Sequence, residues 1–330
     1  MEYIVTYKDI NKQQWSELIN SSSVVSWFQT PQAYLFFLSV KKELTPFCFG
    51  VVNNGELRGI VVGYITKGQN NIINFFSNRA IIYGGPLLKD DISERELSML
   101  LTYIRNEVNA IYIEFRNFCD YSKWKNIFEK NQFIYCPHFD IHVDTNSDLI
   151  LNKNLSKSRK RDVKTALKNG AIIIKRPSLQ QVKEFYDILK LLYKKHLRLP
   201  IFSWTFFEEL YKIENAHFIL VCYENTIIGG TISIELPNRV MYEWYLCGDD
   251  QKYRNLFPSE LATYYALKLA VECNCSVYDM MGAGEPNVPY GVRDFKIKFG
   301  GNLVEYGRFL CVKKTILYKL GRVIIKMVSK

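Results

Sequence analysis

The feature that most constrains this chain is an order of elements that occurs twice. Residues 47–65 read as an apolar strand, an Asn53-Asn54-Gly55-Glu56 turn and a second apolar strand, the signature of a β-hairpin. Residues 218–234 repeat the design, with Gly59 and Gly229 at equivalent places near the start of each second strand. A strand near 79–84, a helix from about 93 to 109 and a strand at 111–115 follow the first hairpin. A strand at 240–247, a helix from about 258 to 273 and a strand at 277–281 follow the second, offset by about 165–170 residues. Hairpins followed by a helix and a further strand predict a mixed α/β (α+β) fold, each sheet largely antiparallel with helices on its faces. At roughly 100–200 residues per domain, 330 residues accommodate two such units. The turn-rich stretch Asp144-Thr145-Asn146-Ser147-Asp148 sets the expected division at 1–145 and 146–330.

Composition narrows the class. Eight scattered Cys exclude a disulfide scaffold, and 48% hydrophobic with 23% charged residues excludes a disordered chain. The start Met1-Glu2-Tyr3-Ile4-Val5 lacks the basic and apolar regions of a signal peptide, and no apolar run approaches the ~20 residues that span a bilayer. The expectation is a cytoplasmic protein with reduced thiols. Lys and Arg number 43 against 33 Asp and Glu, a formal charge of +10 that points to an anionic partner. Much of the excess lies on one segment, where Lys153 to Lys168 holds seven basic residues and a single acid, Asp162. Ser156 or Ser158 can cap a helix there and Gly170 can end it. Lys157, Arg161, Lys164 and Lys168 then line up along one face, a track suited to the phosphates of a tRNA backbone or of a lipid-linked diphosphate, or else a merely solvated face.

Three segments together resemble the Fem-type peptidoglycan-bridge aminoacyltransferases: Trp27-Phe28-Gln29-Thr30-Pro31, the basic helix, and Tyr278-Asp279-Met280-Met281-Gly282 with Gly291-Val292-Arg293-Asp294-Phe295-Lys296-Ile297-Lys298-Phe299-Gly300-Gly301. The resemblance spans nearly the whole chain. It implies two tandem domains of the GNAT acetyltransferase fold, aminoacyl-tRNA as donor and an amine of a cell-wall precursor as acceptor. It also implies that Phe295-Lys296 lies at the acyl-transfer site, in a cleft of the second domain between the strands at 240–247 and 277–281. The family contains members with other acyl substrates, so it bears on the fold more than on the reaction.

The residues themselves leave several roles open. Amine attack on an ester or thioester needs no enzyme nucleophile and no cofactor, only held reactants, a proton acceptor and oxyanion stabilisation. Neither a nucleophile elbow nor a Cys/His pairing signal is visible. Lys296 can hold a substrate anion or developing charge, and with Lys298 would share a strand face. Glu243 stands on the strand that carries a base in many GNAT enzymes, with outward placement an equal alternative. Asp279 can orient an amine, act as base, or make a cap or loop hydrogen bond. Tyr245 and Tyr290 read as cleft lining or core, and they and Arg293, which belongs to the motif, are candidate substrate contacts. The GNAT pattern for acyl-CoA, Arg/Gln-x-x-Gly-x-Gly/Ala, is met only at Arg254 in Arg254-Asn255-Leu256-Phe257-Pro258-Ser259, where Pro258 removes a donor. Arg254 is a candidate substrate contact or a solvated cation.

His138, Asp140, His142 and Asp144 alternate along a strand and are expected on its polar outer face. No metal site is assigned to them, nor to Cys273 and Cys275. From Thr315 to Lys330, Ile316, Leu320, Val323, Ile324 and Met327 form an apolar stripe with Lys319, Arg322, Lys326 and Lys330 mostly off it. Such a helix either lies on an anionic membrane or packs on a domain. Three function classes remain: an aminoacyl-tRNA-dependent transferase acting on a phosphate-bearing cell-wall or envelope precursor, an acyl-CoA-dependent N-acyltransferase, and a non-catalytic tandem-GNAT binding protein.

Overall fold

The computed structural model describes residues 1–66, 78–197 and 200–328. The chain forms two compact units, Met1–His138 with Tyr306–Lys330, and Phe139–Glu305. In the first unit β1 (Glu2–Thr6), β2 (Leu44–Asn53), β3 (Glu56–Thr66), β4 (Ala80–Tyr83), β5 (Leu87–Leu88), β6 (Tyr112–Arg116) and β7 (Ile134–Cys136) precede the crossing. The second unit holds β8 (Phe139–Asp144), β9 (Ile172–Ile174), β10 (Ala216–Tyr223), β11 (Thr226–Leu236), β12 (Val240–Gly248), β13 (Val277–Gly282) and β14 (Asn302–Glu305), and β15 (Arg308–Val312) returns to the first.

The first sheet runs β1-β2-β3-β4-β6-β15-β7, with β5 on β3, and the second runs β9-β10-β11-β12-β13-β8-β14. The two orders match strand for strand. In both, the fourth and fifth strands are parallel and the other pairs antiparallel. The sixth position is filled crosswise in sequence. β15, from the end of the chain, completes the first sheet, and β8, from its middle, completes the second. The division therefore falls at 138/139 and 305/306 rather than at 145/146, and the helix Thr315–Val328 belongs to the first unit rather than the second. The turn signal at 144–148 marks the end of β8, not a boundary.

Local chemistry explains the repeated hairpins. Asn54 and Gly55 both take positive φ (49° and 80°), as do Glu224 and Asn225 (47° and 60°), the backbone of a two-residue hairpin turn whose twist suits the strands. The helix Glu94–Glu107 starts in a capping box of Ser93 and Glu96. In the first unit Phe309 from β15 stacks on Phe128 at 4.0 Å, inside a core with Leu97, Leu101 and Phe115. In the second, Ala266, Leu267 and Ala270 of helix Pro258–Glu272 pack on Met241, Tyr278 and Met280.

Candidate active site

β12 and β13 pair in parallel from Val240↔Val277 to Tyr242↔Asp279, and their ladder ends there. The next residue on β12 is Glu243. The next on β13 enter a bulge, with the register against β8 shifting between Asp279 and Gly282 and Met281 held at a φ of 56°. A non-glycine residue at that φ is strained and needs local support. Asp279 supplies part of it, its Oδ1 accepting from the Met281 N–H at 2.6 Å.

Lys296 supplies the rest. It lies on the helix Gly291–Ile297, not on a strand, so it shares no strand face with Lys298. Its ammonium is buried and donates to the carbonyls of Met280, Met281 (3.4 Å) and Gly282 (3.2 Å). The same ammonium stands 4.0 Å from Glu243 Oε1. Glu243 Oε2 accepts from Tyr278 Oη at 3.3 Å and Thr263 Oγ1 at 3.5 Å. Burial pushes the Glu243 carboxyl up to about 7, with Lys296 opposing. Glu243 is thus an inward-facing acid poised near neutrality, and the outward alternative is excluded by its 5% exposure.

The alternating face of β8 differs from expectation. Asp140 is buried and His142 mostly so, because β8 is an interior strand of the second sheet rather than a solvated edge. His142 is the direct cross-strand neighbour of Asp279, Nε2 to Oδ2 3.4 Å. Burial acts to lower the His142 pKa, but the charge and hydrogen bonding of Asp279 together with the charge of Asp140 outweigh it, and the net shift is upward. Sequence reasoning missed this pair because only the sheet order reveals that β8 lies beside β13. His138 contacts Arg308 in the first unit.

Of the remaining candidates, Phe295 is partly buried beside Lys296, under the guanidinium of Arg159 at 4.6 Å. Arg159 itself is buried and donates to Glu260 (2.9 Å), Asp162 (3.3 Å) and the Phe295 carbonyl (3.4 Å). It ties the basic helix Lys157–Lys168 to the helix bearing Lys296, a role that its place in a charge run conceals. Lys157, Arg161, Lys164 and Lys168 are exposed, as the track requires, with Arg161 also reaching Asp162 at 3.1 Å. Tyr245 is buried against Phe207 at 5.0 Å. Arg254 is exposed and donates to the Gln251 carbonyl. Tyr290 is exposed, its ring seated on Gly284. Arg293 spends its donors on the carbonyls of Ala283, Glu285 and Val288, each at 2.8 Å, and so closes the loop after β13.

Helix Pro258–Glu272 begins where a GNAT enzyme would hold a pyrophosphate. Here the Asp250 carboxylate occupies that end, accepting from Ser259 N–H at 3.1 Å and from Ser259 Oγ at 2.6 Å. Pro258 has no N–H to offer, and Phe257 precedes it in the left-handed region. A Cβ on Gly248 would meet Ser259 N at 2.8 Å, so the end of β12 abuts the helix start.

The first unit has a comparable parallel pair, but its ladder runs on past the acid to Tyr83↔Arg116 and its chemistry differs. Glu114 pairs with Ile81 as Asp279 pairs with Tyr242. Two guanidiniums flank Glu114, Arg116 at 2.8 Å and Arg308 at 2.9 Å. Burial would raise its pKa, but those charges hold it at about 2. Its carboxylate is permanently ionised and neutralised, which suits structure rather than proton transfer. A further cluster, His217, Glu235 and Cys273, brings ligand atoms within 4.8 Å of one another. The His217–Glu235 contact of 2.7 Å is a hydrogen bond, tighter than the roughly 3.3 Å that two ligands subtend at tetrahedral zinc. Burial pushes the Cys273 thiol up to about 11, away from the thiolate a metal would need.

No curated protein matches the sequence. The fold is similar to that of FemX (TM-score 0.70, 14% identity, 96% of this chain and 99% of that one). It is also similar to L-PGS from Bacillus licheniformis (0.59, 12%, 97% and 98%) and to a tandem GNAT protein from the clavulanic acid biosynthesis pathway (0.57, 9%, 94% and 98%). The model of the FemAB family matches residues 208–326, a span that holds Glu243, Asp279 and Lys296. The resemblance read from the sequence is borne out as far as these findings reach: residues 208–326 match the FemAB family model, and the fold is that of tandem GNAT proteins.

Proposed function

We propose that the protein is an N-acyltransferase that moves an aminoacyl group from aminoacyl-tRNA to a primary amine of a cell-wall or envelope precursor. The reading of transfer chemistry rests on Glu243, a buried carboxyl near neutrality beside a buried ammonium where two parallel strands part. The amine nitrogen attacks the ester carbonyl while Glu243 takes its proton. The tetrahedral intermediate collapses with cleavage of the acyl C–O bond, and the ribose oxygen leaves with a proton. Lys296 places positive charge beside that carboxylate and stiffens the bulge, and no cofactor is required.

The observation that carries the choice of donor is the helix end closed by Asp250. A diphosphate there would meet a carboxylate in place of free N–H groups. The exposed cations Lys157, Arg161, Lys164 and Lys168 offer a phosphate track instead. Titration with CoA and with uncharged tRNA tests this, followed by transfer from a radiolabelled aminoacyl-tRNA pool. Saturable tRNA binding with label transfer to an amine is the expected result. The tandem GNAT neighbour keeps an acyl-CoA donor as the second reading, and saturable CoA binding without tRNA binding would select it. Binding of tRNA with no transfer from any acyl donor would leave a non-catalytic binding protein.

A further inference from the structure

The helix Thr315–Val328 docks on the first unit by one face and turns an apolar face away from it. Tyr318 meets Tyr112 edge to face at 5.3 Å, and Leu317, Tyr318 and Gly321 are the partly buried positions. Ile316, Leu320 and Val323 are 76%, 47% and 48% exposed. At ~100° per residue those three fall within an arc of about 60°, roughly opposite Tyr318. The apolar stripe is therefore not the surface by which the helix packs on its own domain. Lys330 lies outside the described residues, as do the side chains of Ile324, Lys326 and Met327. Exposed Lys319 and Arg322 flank the stripe on one side and exposed Lys314 precedes it, whereas the ammonium of Lys313 donates to the Val108 carbonyl at 2.7 Å; no acid follows Glu305 in the chain.

We propose that this face lies on the surface of an anionic lipid bilayer, with Ile316, Leu320 and Val323 entering the headgroup region and the lysines and arginine meeting lipid phosphates. Charge decides against a second copy of the chain as the occupant. A twofold pairing through this stripe would set the same cations against each other, whereas an anionic bilayer supplies apolar interior and negative surface together. The contact is a property of the helix and does not depend on the donor or acceptor. If the acceptor of the proposed transfer is bilayer-anchored, the helix brings the enzyme to it, and only that clause rests on the reading above. No helix of the described residues is long and apolar enough to cross a membrane, so the contact is peripheral.

The test is co-sedimentation of the full chain, without substrates, with phosphatidylcholine vesicles that contain or lack phosphatidylglycerol. Binding to the anionic vesicles alone, weakening as salt is raised, is expected. The triple variant Ile316→Glu, Leu320→Glu, Val323→Glu should lose on the order of tenfold or more in partitioning, and Lys319→Glu with Arg322→Glu about tenfold. All substituted side chains are exposed, so unchanged circular dichroism and melting should verify folding. Negligible binding of the wild-type chain to anionic vesicles would overturn the proposal, as would equal binding of the triple variant. Concentration-dependent dimerisation that the triple variant abolishes, without vesicle binding, would assign the face to a second copy.

Discussion

Glu243 and His142 answer to pH in the same sense, because each has a pKa raised in the folded chain. Burial raises Glu243 to about 7 from an ordinary 4.5, so the folded chain binds more protons than the unfolded one between those values. Stability therefore falls as pH rises through that window, by on the order of 3 kcal/mol in total. Glu243→Gln should flatten this fall, read as denaturation midpoints against pH, and reduce transfer roughly 10²–10⁴-fold. In the wild-type chain the transfer rate should rise with pH through about 7 as the base ionises. A rate profile flat across neutrality would remove Glu243 from that role. His142 has a raised pKa, so its pair with Asp279 contributes stability that is complete below the unfolded value and lost as pH rises through the folded one. Lys296→Ala should abolish most transfer, but it also strips three carbonyls and Glu243 of their cation. A cost of about 3 kcal/mol or more in stability is expected, measured by urea unfolding. Full transfer by a folded Lys296→Ala chain would show the ammonium to be only a prop for the bulge.

At the scale of elements, the helix Lys157–Lys168 has two faces with separate tasks. Arg159, Asp162, Val163 and Ala166 are buried, and Arg159, paired with Asp162 on its own helix, binds Glu260 of helix Pro258–Glu272. The outer face carries Lys157, Arg161, Lys164 and Lys168. Reversing those four to Glu should leave melting nearly unchanged, since exposed pairs contribute little. It should weaken tRNA binding more than tenfold and reduce the slope of log Kd against log salt by up to about 3. Filter binding across a salt series measures both. An unaltered slope would mean that nucleic acid, if bound, tracks elsewhere.

The whole molecule depends on strands that cross in sequence. A fragment 1–145 lacks β15, and so lacks Phe309 and Cys311 from its core and Arg308 from buried Glu114. Loss of one partner of a buried pair alone costs about 3–5 kcal/mol, a large part of the 5–15 kcal/mol that holds a domain together. That fragment should fail to melt cooperatively, while residues 139–305, whose seven-stranded sheet is complete, should fold alone. Differential scanning calorimetry of the two fragments tests the assignment. A cooperative transition from 1–145 would return the boundary to the turn at 144–148.

The two α/β units are legible from the chain alone, because hairpin turns, helix caps and apolar periodicity act between residues close in sequence. The turns at Asn54-Gly55 and Glu224-Asn225 and the capping box at Ser93 are local devices of this kind. The sequence also carried Glu243, Asp279 and Lys296 as candidates, through motif and strand position. What each of them touches follows from the packing of distant strands and helices. His142 meets Asp279 because β8 crosses into the second sheet, and Asp250 closes a helix end by accepting from Ser259, nine residues on. Arg159 is buried among cations that are not. Strand alternation tells which residues share a face, but not which sheet receives the strand. That is settled by burial and pairing over the whole chain, to which no short stretch of sequence has access.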